Sequence, residues 1–436
     1  MNIVTFPRED TLRTRYRYAV YERRLIRDGT ISYSRSFIVL KNQYGIIVHF
    51  TCFHRFITTY GNSVYRPIAS DIREKLIYVC EMLNYVLVDQ YEKTRAAHVF
   101  QVNREMLEAF FRDYALETLP SGKHRGRQSI EKCIASVTIF FRKLCKEYGN
   151  YMAVSIDQLY IEQAVRNKRG KIHNELIPDF QVRGIPESRR IFRDIPTKVF
   201  ALLLNLAFKY TPDIAFAICI QAFAGLRPGE AMCVRQECSP LGTGLTITKI
   251  GDVTRSATID LTRECALRSD GVVCGKIKRE RRQKVYPVFL QAFTVAYERH
   301  KKHLNSKRFE SAYCPMFMNK YGMAMTYANY RDRFKQLVTN HLRPALLSHD
   351  DADCRLYGLL LCENSLGLHS LRHWFSVALV LMGEDVAQLQ HWRGDANPES
   401  AITYLQNKGE LVRELSAANE SFATFLMQGV ADGNGR

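Results

Sequence analysis

The sequence predicts a mainly helical protein with a small β-sheet, an α+β fold divided into more than one domain. Apolar residues recur at helical spacing from about Ile68 to Tyr148 and again from Leu366 onward. Short β-like runs stand near the start of the chain and between Leu245 and Val288. The chain has 436 residues, a length that favours two or three domains, each with its own core.

The first 62 residues predict a small N-terminal module. Phe37–Leu40 and Ile46–Phe50 are rich in residues that favour strands, and the polar connection Lys41–Gly45 suits a hairpin. The helical region then extends over residues 63–176, where several amphipathic helices are expected to pack together. The role of the module, whether it binds separate arm-type DNA sites or a partner, stays open at this stage.

Residues 177–196 have the composition of a linker, with three prolines, many charges and little periodicity. The second main domain is therefore predicted over residues 197–436. It opens with two helical runs, Val199–Leu206 and Ile214–Phe223, of which the second is expected to end near Gly225.

Short β-like runs follow these helices. The first two run from Leu245 to Ile250 and from Ala257 to Leu261. Val272 and Val273 are expected to precede a basic turn, with Val285 and Val288 after it. Together these runs predict the small sheet of the second domain.

The charge balance points to a polyanionic partner. Lys and Arg number 62 against 44 Asp and Glu, which gives a formal charge of +18. Such a surplus attracts nucleic acid, and it would also attract an anionic membrane surface. No stretch approaches the roughly 20 apolar residues of a membrane-spanning helix, and the first residues lack the apolar core of a signal peptide. We therefore expect a soluble, intracellular protein that binds nucleic acid.

Neither the cysteines nor any other motif predicts a metal site. The chain has 12 cysteines, none in a Cys-x-x-Cys pair, and the closest spacing is Cys233 to Cys238. Buried reduced thiols are the favoured interpretation. A basic loop, Ser121–Gln128, carries Lys123, Arg125 and Arg127, which are candidates for contact with a phosphate backbone, although a solvated loop fits the same pattern.

The first motif with chemical potential is Ala224–Glu230. Gly225 can end one helix and Pro228 can begin the next, which places Arg227 at the junction. A guanidinium group offers paired donors to phosphate oxygens, and Glu230 can orient it through a salt bridge. A purely structural Arg-Glu pair would have the same sequence.

Two further motifs follow. His369–His373 can open a helix after Gly367, and residues three apart share a helix face, so His369 and Arg372 can point at one anion. In Asn397–Tyr404 an asparagine cap and a proline predict a helix that carries Tyr404. Taken alone, a surface His-Arg pair explains the first motif equally well, and a packing tyrosine is the favoured explanation of the second.

The order of the three motifs is more specific than any one of them. Ala-Gly-Leu-Arg-x-x-Glu, a hairpin with basic residues, His-x-Leu-Arg-His and Pro-Glu-Ser-x-x-x-Tyr, from Pro196 to about Leu411, resemble the catalytic domain of tyrosine recombinases. The resemblance implies that Arg227 and Arg372 bind the scissile phosphate, that His369 assists, and that Tyr404 attacks to leave a 3′-phosphotyrosine. It also implies that the helical region before the linker is a core-binding domain.

The family's leaving-group acid is a lysine near the hairpin. Counting back from Pro287 favours Lys278, with Lys276 second and a DNA-backbone or surface role as the alternative for both. The family's usual His or Trp before the nucleophile is replaced here by Asp395, and His391 and Trp392 are other candidates for that role. A carboxylate donates no hydrogen bond to phosphate unless it is protonated.

The resemblance further implies a homo-tetramer on double-stranded DNA with specific recombination sites, with accessory DNA-bending proteins as further partners. It implies a nucleoid-associated enzyme that needs neither a metal nor ATP, because the phosphotyrosine stores the energy of the broken bond. Two other functions fit the same motifs. One is a type IB topoisomerase-like enzyme, and the other is a catalytically inactive DNA-binding relative, which Asp395 favours.

Overall fold

We describe the protein from a computed structural model. The structure describes residues 15–57, 70–119, 122, 124–166, 172–182, 194–306 and 313–395. Two compact units divide the chain: residues 1–25 with 32–189, and residues 26–31 with 190–436. The secondary structure is mainly helical with small sheets, as the sequence predicts.

The first unit combines strands and helices around one hydrophobic cluster. Its strands and helices, in chain order, are β1 Tyr16–Arg27, β2 Thr30–Asn42, β3 Ile47–Phe50, α1 Ser70–Asn84, α2 Tyr91–Thr94, α3 Arg104–Leu116, α4 Arg127–Tyr148, α5 Ile156–Leu159, β4 Tyr160–Arg166 and β5 Ile172–Pro178. The hairpin predicted around Lys41–Gly45 is present, because β2 and β3 pair antiparallel. The antiparallel pair β4 and β5 was not predicted.

The core of this unit receives side chains from both its sheet and its helices. Ile38 of β2 and Phe56 lie in the same cluster as Leu83 of α1 and Phe140 of α4. The rings of Phe56 and Phe140 meet edge to face at 6.2 Å. The predicted boundary at residue 62, between an N-terminal module and a helical domain, stays a prediction.

The second unit is built around a helix that is apolar on all sides. Its strands and helices are α6 Thr197–Tyr210, α7 Pro212–Ala224, α8 Pro228–Ala231, β6 Leu245–Ile250, β7 Val253–Leu261, β8 Arg281–Lys284, α9 Leu290–Ser306, α10 Tyr327–Leu337, α11 Arg343–Leu347, α12 Ala352–Glu363, α13 His369–Leu381 and α14 Val386–Arg393. Every residue from Ile214 to Ala224 is buried, as expected for a helix without a polar face. This helix, α7, packs against α6, α9 and α13.

The small sheet of the second unit differs from its prediction at one strand. β6, β7 and β8 form an antiparallel sheet in that order, so the runs at Leu245–Ile250 and Ala257–Leu261 are confirmed as strands. Val272 and Val273 are in no strand, and neither are Val285 and Val288, so the prediction for these four residues is wrong. The basic residues Arg281–Lys284 form the third strand instead, because Gln283 faces inward while Arg282 and Lys284 point to solvent at the sheet edge.

Among the described residues, none of the helices has the length and apolar composition required to span a membrane. In the same residues, no group of three or more His, Cys, Asp and Glu side chains is arranged as metal ligands.

Candidate active site

Arg227 is held at a tight junction between two helices. Gly225 ends α7 with φ +65°, and a Cβ there would lie 2.5 Å from the ring of Phe375, so only glycine fits. Arg227 lies at the junction between the two helices, as predicted, and occupies the N-cap position of α8. Its backbone N–H donates to Oε2 of Glu230 at 3.0 Å, and its Nη1 donates to Oε1 at 3.0 Å. Glu230 therefore fixes both the backbone and the side chain of Arg227.

Glu230 receives a second arginine from the sheet. Arg281 of β8 donates from Nη1 and Nη2 to the two oxygens of Glu230 at 3.1 and 2.8 Å. The Glu230 side chain is fully buried. Burial opposes its ionisation, but the ion pairs with Arg281 and Arg227 outweigh burial and lower the pKa of Glu230 to about 2. The carboxylate is thus permanently charged near neutral pH and links β8 to α8.

The side chain of Arg372, on α13, lies in the same cluster as Arg227 and Glu230. It lies three residues after His369, the first residue of that helix, which confirms the predicted helix start. Its side chain is buried and donates to the backbone oxygen of Gly225 and, at 2.9 Å, to that of Arg393. Burial and the neighbouring Arg227 lower the pKa of Arg372 to about 9, so this guanidinium stays protonated at neutral pH.

Asp395 joins the two arginines through a single oxygen atom. Oδ1 of Asp395 accepts from Nη2 of Arg227 at 2.6 Å and from Nη2 of Arg372 at 2.6 Å. Its other oxygen, Oδ2, lies 3.0 Å from Nε of Arg393. The donors of two arginines that are 145 residues apart in the chain therefore converge on one anionic oxygen.

The two candidate lysines lie next to this cluster in the connection that leads to β8. A Cβ on Gly275 would lie 1.9 Å from the backbone oxygen of Gly229, so the two glycines pack backbone to backbone. This close approach places the backbone of Lys276 against the turn that carries Arg227. The side chains of Lys276 and Lys278 are exposed. Either ammonium group can therefore reach a ligand that approaches from solvent.

The candidate histidines are exposed. His369 stands at the first turn of α13, and His391 stands in the last turn of α14. His391 lines a cleft between β8 and α14 that also opens beside Asp395. The other lining residues include Arg279, Arg282, Lys284 and Trp392.

Comparison with protein-family models and with curated proteins gave no match. Among solved structures, the chain is similar to the XerH site-specific recombinase bound to difH substrate, with 15% identity, 76% of each chain covered and a TM-score of 0.45. It is also similar to the Tn1549 transposon integrase in complex with transposon right end DNA (16% identity, 73% of this chain and 86% of that chain, TM-score 0.43). A third is a lambda integrase dimer bound to a COC′ core site (11% identity, 79% and 91% covered, TM-score 0.42). These neighbours are site-specific recombinases and integrases.

The nucleophile candidate Tyr404, with the whole segment Asn397–Tyr404, lies outside the described residues, and so does Lys123. In the first unit, the guanidinium of Arg125 lies over the ring of Tyr114 at 3.9 Å. It donates to the backbone oxygen of Tyr114 and to the carboxylate of Glu117. These contacts give Arg125 a role within its own unit, while Arg127 is exposed. Contact of this loop with DNA stays a prediction.

Sequence reasoning missed two arginines and a glutamine of this site. Arg281 is bidentate to Glu230, and its Nε also donates to Gln283 at 2.8 Å. Gln283 in turn donates to the backbone oxygen of Trp392 at 2.8 Å, which ties β8 to α14. Arg393 flanks Asp395. The signal in the sequence was Gln283 itself, because a lone amide within a basic run indicates a residue with a partner.

Proposed function

We propose that the chain is a site-specific DNA recombinase that cleaves and rejoins DNA through a 3′-phosphotyrosine on Tyr404. The observation that carries this proposal is the convergence of Arg227 and Arg372 on a single anionic oxygen, now that of Asp395. Guanidinium donors that suit a carboxylate oxygen suit a phosphate oxygen equally well. A pair of arginines, of which Arg372 is buried and Arg227 is 22% exposed, can stabilise the charge of the transition state of a metal-independent phosphoryl transfer.

The proposed step is an in-line displacement at the scissile phosphate. The Tyr404 oxygen forms a bond to phosphorus, the bond to the 5′ oxygen of the next nucleotide breaks, and the phenol proton passes to water or to His369. Arg227 and Arg372 hold the non-bridging oxygens, and Glu230 keeps Arg227 in place. Lys278, with Lys276 as second candidate, donates a proton to the leaving 5′ oxygen, and His369 assists proton transfer or holds the phosphate.

The second half of the reaction reverses the first on a different strand. A free 5′ hydroxyl attacks the phosphotyrosine, which restores Tyr404 and joins the new DNA ends. The proposal therefore includes double-stranded DNA with specific sites as substrate and a homo-tetramer that pairs two such sites.

The test is covalent trapping on nicked DNA. The binding sequence is first selected from random duplexes with Tyr404→Phe protein, which should bind without cutting. Duplexes of that sequence are then nicked at a tiled series of positions, so that the strand released by cleavage diffuses away and religation fails. The native chain is expected to give a protein–DNA adduct that survives denaturing electrophoresis, and Tyr404→Phe is expected to give none.

Tyr321→Phe is the matched control, because Tyr321 is an exposed tyrosine outside the proposed site. It should form the adduct like the native chain. An adduct that persists in Tyr404→Phe would exclude this residue as nucleophile.

A second candidate function is a DNA-binding protein without cleavage. Asp395 favours it, because a carboxylate already satisfies the donors that a phosphate would need. Selective binding of the native chain to one DNA sequence, with no adduct at any nick position, would support this function over the recombinase.

A further inference from the structure

The carboxylate of Asp395 stands where an oxygen of the substrate would bind. Its Oδ1 is at hydrogen-bond distance from both Arg227 and Arg372, at 2.6 Å from each. Its side chain is about one-tenth exposed, so bulk water screens these contacts weakly. We propose that Asp395 is a built-in competitor for phosphate, whose carboxylate fills one oxygen position of the anion site and leaves it when DNA binds. The inference rests on the proposed function for the identity of the anion, a DNA phosphate.

The charges around the site explain why a competitor is present. Four guanidinium groups, those of Arg227, Arg281, Arg372 and Arg393, surround two carboxylates, Glu230 and Asp395. Glu230 is fully buried and bound on both oxygens, so it stays in place. The like charges of Arg227 and Arg372 repel each other, and Asp395 is the anion that holds them together before DNA binds.

The carboxylate can leave without any change in the backbone. Gly394, with φ +62°, ends α14 just before Asp395. The backbone N–H of Asp395 donates to Gln390 at 3.1 Å, and its backbone oxygen accepts from the Gln390 side chain at 3.1 Å. These two bonds hold the main chain independently of the side chain. In the proposal, the carboxylate therefore moves by rotation of the side chain while the main chain stays in place.

A place for the displaced side chain is present beside the site. The cleft between β8 and α14 includes Asp395 in its lining together with Arg279, Arg282 and Lys284. These cations would offset part of the charge of a carboxylate that has lost Arg227 and Arg372. The apparent affinity for phosphate is then lowered by the fraction of molecules in which Asp395 occupies the anion site.

Asp395→Asn tests the competitor directly, with inorganic phosphate as the probe. Asparagine keeps the size of the side chain and one acceptor oxygen but removes the charge that binds two arginines. The dissociation constant for phosphate, measured on the full chain by ³¹P NMR titration, should be roughly tenfold lower in Asp395→Asn than in the native chain. The double variant Asp395→Asn/Arg372→Gln should lose this gain in phosphate affinity, which would show that the phosphate binds at Arg372.

Asp332→Asn is the matched control, since it makes the same change in net charge at an exposed pair with Arg331. It should leave phosphate affinity unchanged. Equal affinity in the native chain and in Asp395→Asn, weaker binding by a folded Asp395→Asn, or a gain that survives Arg372→Gln would each overturn the proposal. If Asp395→Asn does not fold, Asp395→Ser replaces it, and failure of both to fold would show that the carboxylate is needed for the structure and also overturn the proposal.

This experiment does not depend on Tyr404. A phosphate gain without any covalent DNA adduct would reject the recombinase chemistry and keep Asp395 as competitor. A covalent DNA adduct, without a gain in phosphate affinity in Asp395→Asn, would keep the recombinase chemistry and reject Asp395 as competitor.

Discussion

Two buried arginines of the second unit, Arg235 and Arg372, use their donors in different ways. Arg235 is completely buried and donates to the backbone oxygen of Gly242 at 2.9 Å and to Asp260 at 2.8 Å. In the described residues the Asp260 side chain receives no other arginine, and its other hydrogen bonds are with Thr262. Arg372 binds two backbone oxygens, those of Gly225 and Arg393, and its carboxylate partner is shared with Arg227.

This difference distinguishes Arg235, a structural arginine, from Arg372, which belongs to the proposed anion site. Burial alone identifies a guanidinium that is costly to desolvate and must be fully paired, and both arginines meet that condition. Of these two arginines, only Arg372 shares its carboxylate oxygen with a second arginine, in a cluster with more positive charge than its internal anions neutralise. Glu230 also has a shared oxygen but is fully buried, so we infer that the partly exposed carboxylate of Asp395 marks the place where an external anion binds.

Among the variants that test this comparison, Arg235→Gln is expected to have the largest effect, a loss of folding stability. Removing one partner of a buried ion pair typically costs about 3–5 kcal/mol, and here it leaves Asp260 without its cation. Urea unfolding of the full chain should show this loss in the free energy of unfolding. Arg263→Gln, an exposed arginine nearby, should change it by less than about 0.5 kcal/mol.

The affinity of the folded fraction of Arg235→Gln for DNA and for phosphate should equal that of the native chain. A loss of phosphate binding in folded Arg235→Gln would remove the distinction between the two arginines.

The next effect is a pH dependence carried by Glu230. Its pKa is about 2 in the folded chain, against about 4.3 in an unfolded one. The stabilisation is therefore complete above pH 4.3 and is lost as the pH falls toward 2. Glu230→Gln should lower the free energy of unfolding by about 3 kcal/mol at pH 6, and the difference from the native chain should shrink as the pH falls from 4.3.

Urea unfolding at pH 6 and at pH 3 would measure the change. Glu363→Gln, exposed at the end of α12, is the control and should show no such trend. A difference between Glu230→Gln and the native chain that stays constant over this pH range would mean that the Glu230 ion pairs do not supply the stability.

Local features of the site were predictable from the sequence, and long-range ones were not. The turn at Gly225, the cap at Arg227 and its pair with Glu230 depend on residues within five positions of one another, so spacing alone predicts them. The contacts of Arg281 with Glu230 and of Asp395 with Arg227 span 51 and 168 residues. No periodicity in the sequence relates such positions, because tertiary packing alone brings them together.

The strand at Arg281–Lys284 shows the same limit in the sheet. Its four side chains are all polar, so a search for alternating apolar residues passes over it and selects Val272 and Val273 instead. Pairing with β7, where Leu261 is opposite Arg281 and Ile259 opposite Gln283, decides which segment becomes the strand. The register is a property of two strands that are distant in sequence, and neither strand alone contains it.

Arg281→Lys should give the smallest effect and sharpen the comparison most. Arg281 is like Arg235 in that it binds a single carboxylate, but its partner Glu230 is fully buried and also orients Arg227. Lysine keeps the charge but cannot make the bidentate contact with Glu230 together with the bond to Gln283. We expect adduct formation at saturating DNA to slow by roughly tenfold, or about 1.4 kcal/mol, with DNA affinity nearly unchanged, because Arg227 would be held less firmly in the transition state.

Arg282→Lys is the control for this variant, since Arg282 is the next residue on β8 and its side chain is exposed. It should react at the native rate. The rate of adduct formation at saturating DNA distinguishes the two roles of Arg281. If its contact with Glu230 is purely structural, Arg281→Lys will have a lower free energy of unfolding, but its folded fraction will react at the native rate. That result would place Arg281 with Arg235 among the structural arginines, and the site would then reduce to the arginines that meet at Asp395.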